Sequence, residues 1–266
     1  MNIFLKELKS LRKSLIIWSI GSILMVVSGM GKYDVYASQG QSINEMLRGI
    51  PKSLRAVLGF SEVDVSTLSG YYSILFIYLL LMATIHAVML GANIIAKEEC
   101  DKTSEFLFVK PVSRNSIVTA KLLAALTNII IFNLVTAGSL LIILSQYHTN
   151  GENVNEMVVS TMVGMLLLQL LFMVIGSALA SVKKKPKTAA SQASGVLLLT
   201  YLISVLIDLN ENLEGLKYVT PFKYFEAKNV ILGNGLEPIY MVLTSILIIG
   251  FTIVTYIFFK KRDLNV

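Results

Sequence analysis

Residues 71–96 read YYSILFIYLLLMATIHAVMLGANIIA, a stretch that contains no Asp, Glu, Lys or Arg. About 20 predominantly apolar residues in a helix are enough to cross the ~30 Å hydrocarbon core of a bilayer. The stretch therefore predicts a transmembrane helix. Working outward from it, we find five more segments of the same kind.

The apolar residues are gathered into six blocks, each without a formally charged side chain. We predict spans at about residues 15–31, 71–96, 122–145, 158–181, 189–207 and 238–259. The whole chain is 55% hydrophobic and only 15% charged, against about 25% charged residues in an ordinary soluble domain. Because period-2 alternation is absent, the spans must be helices rather than barrel strands. The predicted fold is an all-α integral membrane protein, with residues 1–266 forming one transmembrane domain.

The basic residues are divided unequally between the two sides that these spans define. Most of the 23 Lys and Arg residues lie in short segments on one side, at 6–13, 97–121, 183–187 and 260–262. By the positive-inside rule, we expect both termini on the cytoplasmic side of the cell membrane. The net charge of +6 is then explained by topology and by anionic lipid, so we expect membrane lipid and no nucleic acid as a partner.

The segment before the first span has apolar residues at helical spacing. Phe4, Leu8, Leu11 and Leu15 form one stripe, and most of the nearby basic residues lie off it. The pattern predicts a cytoplasmic N-terminal amphipathic helix. We favour a helix lying in the membrane interface before the chain turns across; the alternative is a simple extension of the first span.

The segment between the first two spans also has helical periodicity. Its apolar residues recur every three or four positions, at Ile43, Met46, Leu47, Ile50, Leu54, Val57 and Leu58. Pro51 should separate two short helices or start the second one. Two interpretations fit equally well: an amphipathic hairpin on the outer leaflet, or a small cap packed over the bundle.

Residues able to perform catalysis inside the membrane are scarce. One Cys, Cys100, and two His, His86 and His148, exclude a disulfide framework and a Cys-based zinc site. The Walker A pattern is absent. We therefore expect no enzyme activity, and no catalytic, cofactor-binding or metal-binding residue in this chain.

Polar residues within the spans are interpreted as structural. His86 has no acidic or basic partner at similar depth, so we favour a hydrogen-bonded structural histidine over a proton relay. We expect interhelical hydrogen bonds from four amide side chains, with a polar substrate path as the less favoured alternative. These residues are Asn93, Asn128, Asn133 and Gln169.

Small residues cluster at the start of the fifth span. Ala190 and Ser194 are four apart, as are Ser191 and Gly195. This spacing makes a flat helix face that permits close backbone approach. We predict helix packing there, within the bundle or across a dimer.

The segment 97–121 carries both charge signs and is the longest on the basic side. Phe106 and Leu107 are apolar although the segment should be in water, Pro111 should end a short helix, and Ser113 can cap the next one. A short helix with an exposed apolar knob indicates docking to another protein. A loop folded back on the bundle is the alternative.

These residues resemble the loop between the second and third helices of type-2 ABC transporter permeases. The residues that carry the resemblance are Glu98, Glu99, Thr103, Glu105, Leu107, Pro111, Val112, Ser113, Arg114 and Lys121. Residues 218–225, YVTPFKYF, are similar to the Pro-Phe-x-Tyr-Phe segment before the last helix of that family, and residues 260–264 to its basic ending. Lys102 departs from the family, where Gly commonly precedes the Thr. The aromatic residues of 218–225 also fit an interfacial belt.

The resemblance implies the membrane-spanning permease subunit of an ABC exporter. Such a subunit pairs with a second permease, as a homodimer or heterodimer, and docks on a separate cytosolic ATPase that binds ATP and Mg. A coupling helix around 103–109 would make the docking contact. The implied docking residues are Glu98, Glu99, Thr103, Glu105, Phe106, Leu107, Pro111 and Arg114.

The substrate is less well defined by the sequence. Spans without internal charge favour an amphipathic or lipid-like molecule, such as a peptide or an antibiotic. Two alternatives from other classes remain: a membrane anchor or sensor that does not transport, and an ion-coupled secondary carrier.

Overall fold

The computed structural model describes residues 3–60, 63–100, 112–147, 151–182, 188–233 and 235–261. Every regular element in these ranges is a helix. In chain order they are α1 (Ile3–Met30), α2 (Tyr33–Gln39), α3 (Gln41–Arg48), α4 (Lys52–Leu58), α5 (Leu68–Cys100), α6 (Arg114–Leu144), α7 (Val154–Val182), α8 (Ala189–Leu209), α9 (Ala227–Leu232) and α10 (Pro238–Lys261). Two 3-10 segments, Glu211–Tyr218 and Pro221–Lys223, lie between α8 and α9.

Six of these helices are long and apolar enough to cross a membrane: α1, α5, α6, α7, α8 and α10. They alternate in direction, which confirms the predicted all-α fold with six spans. We call the end that holds the start of α1 and the end of α5 the basic end. The other end, which holds α2, α3 and α4, is the opposite end.

The helices extend beyond the predicted spans. α5 has 33 residues and α6 has 31, so each is about 50 Å long and exceeds the hydrocarbon core. The span prediction stops at the first charged residues, whereas the helices continue into polar surroundings. The predicted Ser113 cap is confirmed, since its hydroxyl accepts a hydrogen bond from the Ser116 amide at 3.2 Å.

The predicted N-terminal helix is present, but it runs into the first span without a break. The favoured turn between an interfacial helix and the span is therefore not found, and the alternative of a continuous extension is the correct one. Residues 3–20 contain no Gly or Pro that would interrupt the helix. In addition, Glu7 is buried against α5 and α6.

α5 and α7 form the centre of the bundle. In the most apolar 18-residue stretch of each helix, 67% of the residues are buried in α5 and α7, against 17% in α1 and α10. The two backbones meet at Gly91 and Gly176. A Cβ atom at Gly91 would lie 2.0 Å from the Met173 carbonyl oxygen, and one at Gly176 would lie 2.3 Å from the Val88 carbonyl oxygen. Only glycine permits this approach.

The outer helices present large apolar side chains away from the bundle. On α10 the exposed ones include Ile246, Ile249 and Ile253, and on α8 they include Leu199 and Leu202. A continuous exposed apolar surface on several helices is what a lipid-facing surface requires.

The three short helices make a cap at the opposite end. Ile43 of α3 packs with Val65 and with Ile74 of α5, so the cap interpretation describes this segment. As predicted, Pro51 separates two short helices. Gly59 ends α4 with a φ of +77°, in the left-handed region that favours glycine.

Candidate functional site at the basic end

Lys121, in the second turn of α6, is fully buried. Its Nζ donates to both carboxylate oxygens of Glu98 at 2.7 and 2.8 Å and to the Ile94 carbonyl oxygen at 2.6 Å. The ammonium group has three N–H donors, and these contacts supply acceptors for them. Lys121 therefore joins α6 to the last turns of α5.

Glu7 brings α1 into the same cluster. Its side chain is only 3% exposed, and its two carboxylate oxygens lie 3.5 Å from the Nζ atoms of Lys121 and Lys97. Lys97 also donates to the Ser10 hydroxyl at 2.6 Å. We call Glu7, Lys97, Glu98 and Lys121 the charge cluster. It contains two positive and two negative groups, so burial leaves no net charge.

The charge cluster fixes where three helices lie relative to one another. Taking charged groups out of water is costly, and attraction between them offsets the cost only when the geometry is good. A buried ion pair therefore adds little net stability, but removal of one member leaves its partner uncompensated. The cluster favours a single arrangement of α1, α5 and α6 over alternatives that would separate these charges.

A second set of contacts ties α6 to α10 at the same end. The Arg114 guanidinium donates from Nη1 to the Lys260 carbonyl oxygen at 2.8 Å. One turn further along α6, the Thr119 and Tyr256 hydroxyls are 2.7 Å apart. The two helix ends that flank residues 101–111 are thus connected to both α1 and α10.

The structure describes only part of the predicted docking segment. Glu98, Glu99 and Arg114 lie at the ends of α5 and α6, and Glu98 is already paired within the chain. The remaining predicted docking residues, Thr103, Glu105, Phe106, Leu107 and Pro111, lie outside the described residues. The coupling helix therefore stays a prediction.

Sequence reasoning did not predict the charge cluster, although one signal for it exists. Glu7 is the only acidic residue before Asp34, and it falls beside the apolar stripe of the N-terminal helix. A lone carboxylate on a buried face needs a cationic partner. The partners come from α5 and α6, which are distant in sequence.

The predicted small-residue face of α8 is only partly covered by the rest of the described chain. Within the subunit α8 packs through Ala189, Ala193 and Leu197, which are fully buried. Ala190, Ser194 and Gly195 are half-buried and Ser191 is exposed; a Cβ atom at Gly195 would meet open space. A role for this face in contact with a second subunit stays a prediction.

Polar residues inside the bundle join helices. Asn133 of α6 donates to the Gln169 side chain of α7, and Gln169 donates in turn to the Ala83 carbonyl oxygen of α5 at 3.5 Å. Interhelical bonding is therefore confirmed for these two amides. Asn93 is exposed. No described residue donates a hydrogen bond of acceptable geometry to the Oδ1 atom of the buried Asn128.

His86 is buried, as expected for a structural residue. Its ring lies between Trp18 and Phe132, with centroid distances of 5.3 and 5.1 Å. Asn128 is close enough to interact with it, but neither ring nitrogen makes a hydrogen bond of acceptable geometry to a described residue. The ring is held by aromatic packing, with the Asn128 amide as its polar neighbour.

The aromatic segment before the last helix packs inward. Phe222 lies against Phe172 and Tyr201, with centroid distances of 5.4 Å for both pairs. Phe225 is 1% exposed and packs on Gly164, where a Cβ atom would lie 2.9 Å from it. The interfacial belt expected for these residues is therefore wrong for Phe222 and Phe225, which are buried inside the bundle. Gly164 on α7 leaves space for Phe225.

Six apolar helices of this length, alternating in direction, define a multi-pass membrane protein. Residues 1–264 match the family described as ABC-2 family transporter protein. The chain therefore belongs to the ABC-2 transporter family, which confirms the resemblance to type-2 ABC permeases. A search of curated proteins finds no match.

Family membership makes the chain a membrane transport subunit, a class that is not itself catalytic. Permeases of this family generally work with a cytosolic ATPase. The charge cluster and the hydrogen bond from Arg114 to Lys260 lie at the end of α5 and the start of α6, which the predicted coupling segment connects.

Proposed function

We propose that this protein is the permease subunit of an ATP-driven exporter in the cytoplasmic membrane. The observation that carries the proposal is the family match over residues 1–264. Because the sequence has no Walker A pattern, a separate cytosolic ATPase would bind ATP and Mg and perform the hydrolysis.

Docking of the ATPase is assigned to the segment between α5 and α6. Phe106 and Leu107 would insert as an apolar knob, and Glu99 and Glu105 would pair with basic residues of the partner. Glu98 would act mainly from within the subunit, through Lys121. The assignment is supported by the apolar character of 106–109 in an otherwise polar segment.

The connections at the basic end suggest how movement would pass into the bundle. A push on residues 101–111 would act on the ends of α5 and α6, then on α1 through Glu7 and on α10 through Arg114. ATP binding would supply the differential binding energy, and the bundle would move between two packed states.

Orientation and assembly follow from the same proposal. The basic end faces the cytoplasm, where the ATPase resides, and the positive-inside rule supports this orientation. A second permease, either another copy or a related chain, would pair with this one in the membrane. The small-residue face of α8 offers a surface for that contact.

The substrate is proposed to be amphipathic or lipid-like, with a peptide or an antibiotic as examples. The six spans hold no Asp, Glu, Lys or Arg in their central parts, so the described bundle offers a translocating ion no charged partner at membrane depth. An amphipathic molecule needs no such partner along its apolar part.

The docking assignment is tested by Leu107→Asp in the full-length permease, purified from its own membrane with a tag. The wild-type chain is expected to bring down a protein with a Walker A motif and to stimulate its ATPase activity. L107D is expected to lose at least about tenfold of that binding, since a charged group would have to be buried in an apolar groove.

Leu54→Asp is the matched control, because Leu54 is an exposed leucine of α4 at the opposite end. It should insert and bind the ATPase as the wild type does. Retention of the ATPase by L107D would contradict the docking assignment. Transport driven by an ion gradient in vesicles without any ATPase would instead identify a secondary carrier, and ATPase binding with no transport of any substrate would favour an anchor or sensor.

A further inference from the structure

A polar cleft lies within the cap at the opposite end of the bundle, remote from the charge cluster. Its volume is about 380 Å³, which is within the usual range for small-molecule binding sites. The walls come from α3, from α4 and from the segment that follows α4. The charged and amide side chains that line the cleft are Gln41, Asn44, Glu45, Arg48, Arg55 and Asp64.

The sequence of α3 explains why one of its faces lines the cleft. Four of the polar residues are spaced by three or four positions, at 41, 44, 45 and 48. At this spacing they lie on the same side of an α-helix. Ile43 lies on the other side, where it packs with Val65 and Ile74 and anchors α3 to the bundle. The polar face is therefore directed into the cleft.

Hydrogen bonds hold the walls of the cleft in place. Asn44 Nδ2 donates to Asp64 Oδ1 at 2.6 Å, and Asn44 Oδ1 accepts from the Val65 amide at 3.1 Å. The Phe60 amide donates to the Arg55 carbonyl oxygen at 2.9 Å. Because these contacts already order the walls, a ligand would lose little affinity to rearrangement of the cap.

The two arginines of the cleft have unused hydrogen-bond donors. Arg55 Nε is buried and donates to no described residue. Neither Arg48 nor Arg55 makes an ion pair with a carboxylate of a described residue, although Glu45 and Asp64 line the same cleft. A buried donor without an acceptor is costly. The arginines therefore favour a ligand that supplies acceptor oxygens.

The two carboxylates of the cleft do not favour a cation in the same way. Asp64 Oδ1 accepts hydrogen bonds from the Ser66 hydroxyl and amide at 2.6 and 2.9 Å, in addition to the one from Asn44. Glu45 is exposed, so its carboxylate is hydrated. The unused hydrogen-bonding groups are thus those of the cations, and the cleft selects an anion.

A phosphoryl group suits two arginines better than a carboxylate does. A guanidinium presents its N–H donors in a planar fork that matches two oxygens of either group. A carboxylate has only two oxygens and is bound by one fork, whereas a tetrahedral phosphoryl group can accept from a second arginine as well. The exposed apolar residues Met46 and Leu54 lie on the two helices of the cleft, so a lipid surface can approach the site as readily as a dissolved ester can.

We propose that the cleft between α3 and α4 binds a phosphoryl group at Arg48 and Arg55, carried by the headgroup of an anionic lipid or by a small phosphate ester. The site does not rest on the proposed function. Its failure would leave the permease assignment intact, and failure of ATPase docking would leave the cleft intact.

The test begins with isothermal titration calorimetry of the full-length chain in a neutral detergent. Glycerol phosphate and acetate are titrated at equal ionic strength, because salt screens the attraction of any anion. Glycerol phosphate is expected to bind saturably. Acetate should bind at least about tenfold more weakly, since it gains little from the second arginine.

Native mass spectrometry distinguishes the two sources of the phosphoryl group. The chain is presented with phosphatidylglycerol and with diacylglycerol of the same acyl chains. Preferential retention of phosphatidylglycerol, reversed by glycerol phosphate, would identify a lipid headgroup as the ligand. Binding of glycerol phosphate without preferential retention of the lipid would identify a dissolved phosphate ester.

Substitution of each arginine shows whether the cleft is responsible. Arg48→Gln and Arg55→Gln should each weaken glycerol phosphate binding about tenfold. Arg55→Lys should recover only part of the loss, because lysine keeps the charge but lacks the fork. Lys52→Gln is the matched control, since Lys52 is exposed on α4 and does not line the cleft. It should bind as the wild type does.

Two further variants separate a loss of binding from a loss of structure. Arg48 is exposed, so R48Q should leave the unfolding temperature without ligand unchanged while it weakens binding. Glu45→Gln should strengthen binding about twofold, because it removes a like charge from the cleft. A purely structural role of these side chains would not produce a gain.

Equal affinities for acetate and glycerol phosphate would overturn the phosphoryl assignment. Equal losses in K52Q and R48Q would show general attraction of anions to the cap rather than a site. Absence of saturable binding by glycerol phosphate, together with no preference for phosphatidylglycerol, would overturn the site as a whole. In that case water alone serves the donors of Arg55.

Discussion

Lys121 is buried completely, a state that lysine almost never adopts unless it is paired. Its position about two turns inside α6 puts a positive charge where the helix enters the bundle. Glu7 and Glu98 compensate it from two other helices. A single residue thereby determines how three helix ends meet, immediately beside the segment proposed to dock the ATPase.

Lys121→Met should destabilise the protein by about 3–5 kcal/mol, because Glu7 and Glu98 would remain buried with too little positive charge nearby. Thermal unfolding of the purified chain in detergent measures the loss. Lys9→Met is the matched control, since Lys9 is exposed on α1, and should change little.

The triple variant Lys121→Met, Glu7→Gln and Glu98→Gln should recover much of that stability, since no buried carboxylate would then lack a partner. Lys97 is 34% exposed and can turn toward water. A triple variant as unstable as K121M would show that packing of the lysine stem, rather than charge pairing, holds the three helices.

Asp64 should make the stability of the cap depend on pH. Hydrogen bonds from Ser66 and from the Asn44 amide hold the pKa of this carboxyl below its ordinary value of 3.8. A lowered folded-state pKa stabilises the cap above pH 3.8, and the contribution is lost as the pH falls through the folded-state pKa.

Asp64→Asn should therefore lower the thermal stability of the cap at pH 7, and the difference from the wild type should shrink as the pH falls below about 3.8. Differential scanning fluorimetry over a pH series measures both unfolding temperatures. The effect should be small, because Asp64 is exposed. A difference that stays constant down to pH 2 would show that the ionised form has no special role.

At the scale of elements, the contact between α5 and α7 determines the packing of the bundle. Backbones that touch at Gly91 and Gly176 bring many side chains into van der Waals contact. Close approach also aligns Asn133 and Gln169 with the Ala83 carbonyl oxygen. The centre of the protein is therefore tightly packed, and movement between states is more readily accommodated at the outer helices.

Gly91→Ala should destabilise the bundle by about 1–3 kcal/mol, because the new methyl group overlaps the Met173 carbonyl and forces the helices apart. Thermal unfolding in detergent again measures the change. Gly138→Ala, inside α6, is the control.

A Cβ atom at Gly138 meets no atom within 4 Å, so G138A should be neutral or should stabilise the helix by up to about 1 kcal/mol. If the two variants behave alike, glycine matters at position 91 only through helix propensity and not through close packing.

At the scale of the whole molecule, the six spans put the charge cluster at one end and the cap formed by α2, α3 and α4 at the other. Movement proposed to begin at residues 101–111 would have to cross the bundle through α5, which contributes Glu98 to the charge cluster and Ile74 to the contact with the cap. α5 is also the most extensively buried helix together with α7. The central helix is thus the physical link between the two ends.

The proposed orientation predicts which positions a membrane-impermeant maleimide can reach in intact cells. In the Cys100→Ser background, Ser53→Cys at the opposite end should be labelled from outside. Lys9→Cys at the basic end should be labelled only after the membrane is permeabilised. Labelling of Lys9→Cys in intact cells would reverse the orientation and exclude cytosolic ATPase docking at residues 101–111.

Much of this architecture could be predicted from local sequence. The hydrophobic runs gave all six membrane helices, because length and the absence of charge are local properties that a bilayer selects directly. Pro51 and Ser113 marked helix boundaries, since both act through the adjacent backbone. The family resemblance could also be seen in the sequence, because several short motifs occur along this chain in the same order as in that family.

The sequence by itself thus determined the class, the number of spans and the segment expected to dock a partner. Only the tertiary structure decided that α1 is continuous, that Glu7 meets Lys121, that Phe222 and Phe225 pack inward and that α5 touches α7 at two glycines. Apart from the continuity of α1, which local sequence permits, these features are contacts between residues far apart in the chain. Their formation depends on the relative positions of whole helices, which no local pattern of residues encodes.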